Sequence, residues 1–321
     1  MFRRILVPVD GTGQDQHSLL LAGRLAKRFD ASVFLVRVRS PKTDSHVALD
    51  DVTDLKALAS NLQQQGIACH FTLDLDQTVE GIVATARHQE NDLIVLAPHH
   101  RSWLEAIRHP SVTDDMLSQT PAPLLIWPEH MSPEAAMNFL AAPTAQVMVP
   151  LDGGEMAEQA LPFATALARQ YERPLMLVRV VSPIAIPFGV YPGDASVAEQ
   201  VQDAARAYLQ RVRERIASQV TFPVQSMLLS GLPWAELLRV SEAHPDSIIV
   251  MTTHGRGHVG RALFGGVTTE LAHRGSCPIF ALRRGATVHT NEPDPWLLFH
   301  DEKSEPGERS PVYQTEHALG G

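Results

Sequence analysis

An internal repeat constrains the fold of this 321-residue chain more than any other feature of its sequence. Four blocks recur in the same order, two at an offset of 142 positions and two at an offset of 155: 5–11 as 147–153, 34–41 as 176–183, 92–96 as 247–251 and 122–125 as 277–280. Two constant offsets separated by one jump indicate a duplicated unit. The second copy carries 13 additional residues, which fall near positions 184–196.

Each copy alternates apolar runs with helical patterns. We predict strands at 3–9, 32–38, 67–73, 92–97 and 122–127, and again at 146–151, 174–181, 222–229, 247–252 and 278–283. Helices are predicted at 14–29, 48–65, 78–89 and 111–119, and again at 155–170, 196–219, 233–244 and 267–274. Strands that are apolar throughout are buried on both faces, and their alternation with helices predicts parallel sheets covered by helices. The predicted fold class is α/β, with two tandem doubly wound, Rossmann-like sheets of five strands each.

The two copies define the expected domains, residues 1–128 and 145–284, with a linker at 129–144. Ser132 and Pro133 are a typical cap and first turn of a helix, so a short helix is expected in the linker. Residues 285–321 are polar and acidic and are predicted to be a disordered tail.

Composition excludes several classes of protein. The formal net charge is −9, and the tail contributes much of it, with seven acidic residues against two basic ones. No basic stripe supports nucleic-acid binding. No apolar run is long enough to cross a bilayer, and no secretory signal is visible, so a cytoplasmic location is expected. Cys69 and Cys277 lie in different halves and are expected to be buried core residues rather than a disulfide.

The loop after the fourth strand of the second copy is rich in glycine. It contains five glycines in twelve residues, and its last pair, Gly265 and Gly266, opens a helix. Ligands of open parallel sheets bind at the carboxyl ends of the strands, and the amides of a helix N-terminus suit a phosphate. Arg256 and Arg261 would add positive charge. A flexible surface loop without a ligand is the alternative.

This stretch resembles the phosphate loop of ATP-binding universal stress proteins, in which a glycine, two residues, a glycine and nine residues precede a glycine and a serine or threonine. Gly255 and Gly265 have the required spacing, whereas Thr252 replaces the first glycine and Gly266 replaces the hydroxyl residue. The resemblance covers roughly residues 1–128 and 145–284. It implies the strand order 3-2-1-4-5 in each half and a nucleotide site made of Pro150, Asp152, Val180, Met251, His254, Gly255, Gly265, Gly266, Val267 and Thr268.

The first copy departs further from the pattern. His100 stands at the position of Gly255, and Pro110 stands at the position of Gly265, where proline removes an amide donor. Pro8, Asp10, Val38 and Ser111 are retained. We therefore predict that the first half does not bind ATP in the family's way and that Trp103 and Pro110 fill or cover its crevice.

The resemblance also implies how the halves assemble. Family members commonly pair through their fifth strands, so residues 121–127 and 277–282 are expected to pair within the chain as a pseudo-two-fold unit. A homodimer and a further protein partner stay open. Arg37 and Arg179, inside the second strands, are expected to reach the strand end or to pair with an acid across the two domains.

Three functions follow as hypotheses. The first is a stress-associated regulatory protein that binds ATP or a related adenine nucleotide in its second domain only, with Mg²⁺ left open as an accompanying ion. The second is a nucleotide-free scaffold that acts through protein contacts, and the third is a slow ATPase. No nucleophile elbow, Walker loop or activated cysteine is visible, so no catalytic residue is expected. His99, His100 and His109 lack a second cluster with zinc spacing, and no metal site is expected there.

Overall fold

The computed structural model describes residues 1–9, 11, 16–39, 45–75, 78–96, 120, 122–128, 131, 141–182, 195–253 and 266–283. The described strands are β1 (Arg4–Pro8), β2 (Ser32–Arg39), β3 (Cys69–Leu75), β4 (Leu93–Leu96), β5 (Leu124–Ile126), β6 (Val147–Pro150), β7 (Leu175–Val181), β8 (Val224–Ser230), β9 (Ile248–Thr253) and β10 (Ile279–Arg283). The described helices are α1 (Gln16–Phe29), α2 (Ser45–Gln64), α3 (Thr78–His88), α4 (Glu155–Glu158), α5 (Leu161–Tyr171), α6 (Ala195–Ala217), α7 (Pro233–Ala243) and α8 (Gly266–Arg274). The predicted helix at 111–119, the linker helix and the tail lie outside the described residues.

The ten strands form one continuous sheet in the order β3-β2-β1-β4-β5-β10-β9-β6-β7-β8. Each half has the predicted order 3-2-1-4-5. The strands within each half are parallel, and β5 and β10 meet antiparallel at the centre, with Leu125 opposite Phe280. The predicted pairing of the fifth strands within the chain is therefore confirmed.

Two apolar layers cover the sheet because successive side chains of a strand point to opposite faces. Ile5 and Val7 face a layer that includes α1, α2, α5 and α6, whereas Leu6 faces a layer that includes α3, α7 and α8. Both layers run across the central strand pair. Phe2, Phe163 and Phe280 lie in the first layer with ring centroids 4.9 to 5.9 Å apart, so residues of both halves share one core.

One predicted helix is divided in the structure. The sequence pattern predicts a single helix over 155–170, but α4 ends at Glu158 and α5 starts at Leu161. Pro162 lies in the first turn of α5, and proline cannot continue a helix because it lacks the N–H and its ring clashes with the preceding turn. The break leaves α4 as a short separate turn directly after β6.

Candidate functional site

The candidate site lies where β6 and β9 end. These strands are parallel neighbours, so their carboxyl ends lie at the same edge of the sheet. Pro150 is the last residue of β6, and Asp152 follows it with an exposed side chain. Asp152 Oδ1 accepts a hydrogen bond from the Gly154 amide at 2.8 Å. This bond fixes one oxygen of the carboxylate relative to the turn.

The turn after β6 depends on glycine. Gly153 has a φ of +89°, a conformation that residues with a side chain adopt only at a cost. A Cβ atom at Gly153 would also collide with the guanidinium of Arg179. The turn therefore requires glycine for two reasons, backbone conformation and space.

Thr252 links the two strand ends. Its side chain is almost fully buried, and its hydroxyl donates a hydrogen bond to the carbonyl oxygen of Met156 in α4 at 2.9 Å. In the sequence, Thr252 is only a departure from the phosphate-loop pattern. In the structure it ties the end of β9 to α4, a contact that local sequence patterns do not reveal because the residues are 96 positions apart.

The start of α8 places Val267 and Thr268 beside β9. The Thr268 hydroxyl lies 3.7 Å from the sulfur of Met251, and Val267 packs with Val180 and Met251 against the same apolar layer. Six predicted site residues thus occupy the carboxyl edge of β6, β7 and β9 or the helix that follows: Pro150, Asp152, Val180, Met251, Val267 and Thr268. Gly266 is the first residue of α8. His254, Gly255 and Gly265 lie outside the described residues.

Arg179 contacts the turn from within β7. Its guanidinium lies beside Gly153 and over the ring of Tyr208 in α6, 4.8 Å from the ring centroid. No acidic side chain among the described residues forms an ion pair with it. Of the two alternatives expected for Arg179, the structure favours a position at the strand end, because its guanidinium lies beside the turn after β6 and its other neighbour is an aromatic ring of its own half.

Tyr208 is in turn held by α4. Its hydroxyl donates a hydrogen bond to Glu158 Oε1 at 2.9 Å, and Arg215 Nη2 pairs with Glu158 Oε2 at 2.5 Å. Burial, reinforced by the bond to the Glu158 carboxylate, raises the pKa of Tyr208 well above that of a free phenol. The phenol is therefore a neutral donor at physiological pH.

The first half uses a different arrangement at the same place. Arg37 lies beside Gly11 as Arg179 lies beside Gly153, but it is fully buried and its Nη1 pairs with Asp51 Oδ1 at 2.7 Å. Arg39 also binds Asp51, and these hydrogen bonds hold the pKa of the Asp51 carboxyl below its usual value. Asp51 belongs to the same half, so the alternative of an acid across the two domains is wrong for Arg37.

The other predicted features of the first half, Asp10, His100, Trp103, Pro110 and Ser111, lie outside the described residues. Within the described ranges, no group of three histidine, cysteine or acidic side chains is arranged to hold a metal ion. Among the described helices, none has both the length and the apolar content that crossing a membrane would need. Cys69 and Cys277 are free and buried, as expected.

Both halves of the chain are similar to known proteins. The model of the universal stress protein family matches residues 1–128 and 144–283. A universal stress protein of Methanocaldococcus jannaschii is 22% identical over 154 residues, which are 43% of this chain and 94% of that protein. The crystal structure of a universal stress protein from Archaeoglobus fulgidus DSM 4304 has a TM-score of 0.63 at 18% identity, covering 88% of this chain and 98% of that chain. The crystal structure of a functionally unknown protein from Pseudomonas aeruginosa PAO1 has a TM-score of 0.58 at 15% identity, covering 88% of this chain and 92% of that chain.

Proposed function

The chain belongs to the universal stress protein family, and from this premise we propose that it is a stress-associated regulatory protein that binds an adenine nucleotide such as ATP in its second half only. Residues 145–284 form the binding half in this proposal, and residues 1–128 form a structural half. The protein performs no reaction of its own beyond, at most, slow hydrolysis of the bound nucleotide.

One observation carries the proposal. Asp152 follows the end of β6, and the start of α8 lies beside β9, where the Thr268 hydroxyl is 3.7 Å from the Met251 sulfur. β6 and β9 are adjacent parallel strands, so their carboxyl ends lie at the same edge of the sheet. A nucleotide in this crevice would meet the Asp152 carboxylate with its sugar or base and the α8 amides with its phosphates. Backbone amides at a helix N-terminus and the positive end of the helix dipole favour an anion.

The apolar wall of the crevice supports the same ligand. Val180, Met251 and Val267 are partly buried side chains that pack against the apolar layer on one side of the sheet. Apolar side chains of this kind suit the face of an adenine ring, while the polar groups at the strand ends suit the ribose and phosphates. We propose that Pro150 completes the adenine side and that His254, Gly255, Gly265, Gly266 and Thr268 serve the phosphates, with Mg²⁺ accompanying them.

Two departures from the family's loop set the expected strength of binding. Gly266 lacks the hydroxyl of the usual serine or threonine but keeps its amide, so a hydrogen bond of about 1 to 3 kcal/mol is lost while the anion site persists. Thr252 replaces a glycine, and its hydroxyl donates a hydrogen bond to the carbonyl oxygen of Met156. We therefore expect weak binding rather than none.

Isothermal titration of the full chain with ATP and with AMP tests the proposal. We expect ATP to bind in the micromolar to millimolar range and Gly266→Ser to bind it more tightly. Asp152→Asn should weaken binding, whereas the matched change Asp10→Asn in the first half, 142 positions earlier, should leave it unchanged. Absence of heat at millimolar ATP, for both the wild type and Gly266→Ser, would refute nucleotide binding and leave the scaffold function.

A further inference from the structure

We propose that Arg179 is a positioning residue of the second half: it supports the turn from which Asp152 reaches the nucleotide. The inference rests on the proposed nucleotide binding and names a residue outside the family's phosphate loop. The observation behind it is the contact between the Arg179 guanidinium and Gly153, the residue that directly follows Asp152.

The contact limits how closely the backbone of Gly153 can approach β7. Gly153 has no side chain, so the guanidinium occupies the space in which a Cβ atom would lie. The backbone of the turn therefore rests on a flat, charged group. Because Asp152 Oδ1 is bound to the Gly154 amide, the direction of Oδ2 depends on where this backbone lies. A shorter or more flexible side chain at position 179 would allow the backbone of the turn to move, and the Asp152 carboxylate would move with it.

The guanidinium is itself held in place. The Arg179 guanidinium carbon lies 4.8 Å from the centroid of the Tyr208 ring, in a cation–π contact. The Tyr208 hydroxyl binds Glu158 at 2.9 Å, and Glu158 ends α4. Arg179 therefore contacts Gly153 in the turn, and Tyr208 joins Arg179 to Glu158 at the end of α4.

The first half shows what distinguishes this arrangement. The buried positions of α2 and α6 coincide at an offset of 154, with Leu55 matching Leu209 and Leu62 matching Ile216. By this alignment, Ala205 replaces Asp51, and Tyr208 replaces Asp54. The two carboxylates that pair with Arg37 are therefore exchanged for a methyl group and a ring.

The exchange changes the role of the arginine. In the first half, the charge of Arg37 is offset by the buried Asp51 carboxylate, which also pairs with Arg39. In the second half, Arg179 has no ion pair with a described acid, and its contacts are the turn and the ring. The same Gly–Arg pair thus adjoins a buried carboxylate in one copy and an aromatic ring in the other.

The experiment compares ATP with 2′,3′-dideoxyATP, which lacks the sugar hydroxyls that a carboxylate would bind. Titrations use the full chain as wild type, Arg179→Met, Asp152→Asn and the double variant. We expect the wild type to prefer ATP about tenfold or more, the size of one well-placed hydrogen bond. Arg179→Met should reduce this preference to about twofold, and the double variant should be no weaker than Asp152→Asn alone.

Arg37→Met is the matched control, since it removes the equivalent arginine 142 positions earlier. We expect it to lower stability but to leave both affinities unchanged. If circular dichroism shows that Arg179→Met does not fold, Tyr208→Leu is used instead. It removes the ring that packs against the guanidinium and should give the same loss of preference for ATP over 2′,3′-dideoxyATP. An unchanged ratio in a folded variant would overturn the inference alone. No binding of ATP by the wild type would overturn the proposed function and this inference with it.

Discussion

The ion-pair network of the first half gives the sharpest stability prediction. Asp51 binds two arginines at once: its Oδ1 lies 2.7 Å from Arg37 Nη1, and its Oδ2 lies 2.8 Å from Arg39 Nε. The side chains of Arg37 and Asp51 are 1% and 6% exposed. Replacing Asp51 with asparagine keeps the shape of the side chain but removes the only buried carboxylate that pairs with Arg37 among the described residues.

The expected cost is about 3 to 5 kcal/mol in the free energy of unfolding at pH 7, the range found when one partner of a buried pair is removed. The lower end is favoured because Asp54, with a 64% exposed side chain, lies 3.5 Å from Arg37 and can offset part of its charge. The Arg206–Asp203 pair, 62% and 73% exposed at 2.6 Å, serves as the control. Asp203→Asn should cost less than about 1 kcal/mol because exposed pairs contribute little.

Urea denaturation followed by far-ultraviolet circular dichroism measures both variants. The pH dependence gives a second check, because the folded-state pKa of Asp51 is lowered by its hydrogen bonds with Arg39 and Arg37. The stabilising effect of the carboxylate is then fully present above its unfolded pKa of about 3.9 and is lost as pH falls towards the lower folded value. The gap between wild type and Asp51→Asn should be constant near neutrality and narrow below about pH 4. A cost below about 1 kcal/mol at pH 7, or a gap that does not change with acid, would refute the assignment.

Three further predictions follow from single contacts. Thr252→Val should cost about 1 kcal/mol by thermal unfolding, because the bond to Met156 is lost, and a variant as stable as the wild type would contradict this contact. Phe280→Ala should lower the free energy of unfolding in urea by about 3 to 5 kcal/mol, since the ring is fully buried between the halves. Phe71→Ala should lower it far less, because the side chain of Phe71 is 38% exposed. Cys277 should not react with a thiol reagent at pH 8 until the protein is unfolded, because it is buried and burial raises its pKa; rapid labelling of the native protein would contradict its burial.

Much of the fold was predictable because it is repeated. The repeated blocks predict the same strand at equivalent places in both copies, and uniformly apolar strands predict parallel pairing. The starts of all ten described strands fall within two residues of their predicted positions. The pairing of β5 with β10 was predictable only through resemblance to the family, since the sequence of an apolar edge strand does not indicate which strand it pairs with.

The candidate site was predictable only in part. Glycine spacing and the strand-end positions of Pro150 and Asp152 are local signals, and they led to the edge formed by β6 and β9. Whether these residues bind a nucleotide stays a prediction. The contact between Arg179 and Tyr208 was missed, because an arginine inside a strand and a tyrosine on a helix carry no pattern that joins them.

The sequence alone determined what depends on neighbours along the chain: the period of the apolar residues, the turns that need glycine, and the duplication itself. The tertiary structure decided what depends on distant residues. Thr252 reaches Met156 across 96 positions, and Arg179 meets Tyr208 only because α6 packs on β7. The same Gly–Arg pair has different surroundings in the two halves because the facing helix supplies Asp51 in one and Tyr208 in the other. Side-chain contacts between elements follow from packing in three dimensions, and sequence periodicity determines only which face of each element is available for them.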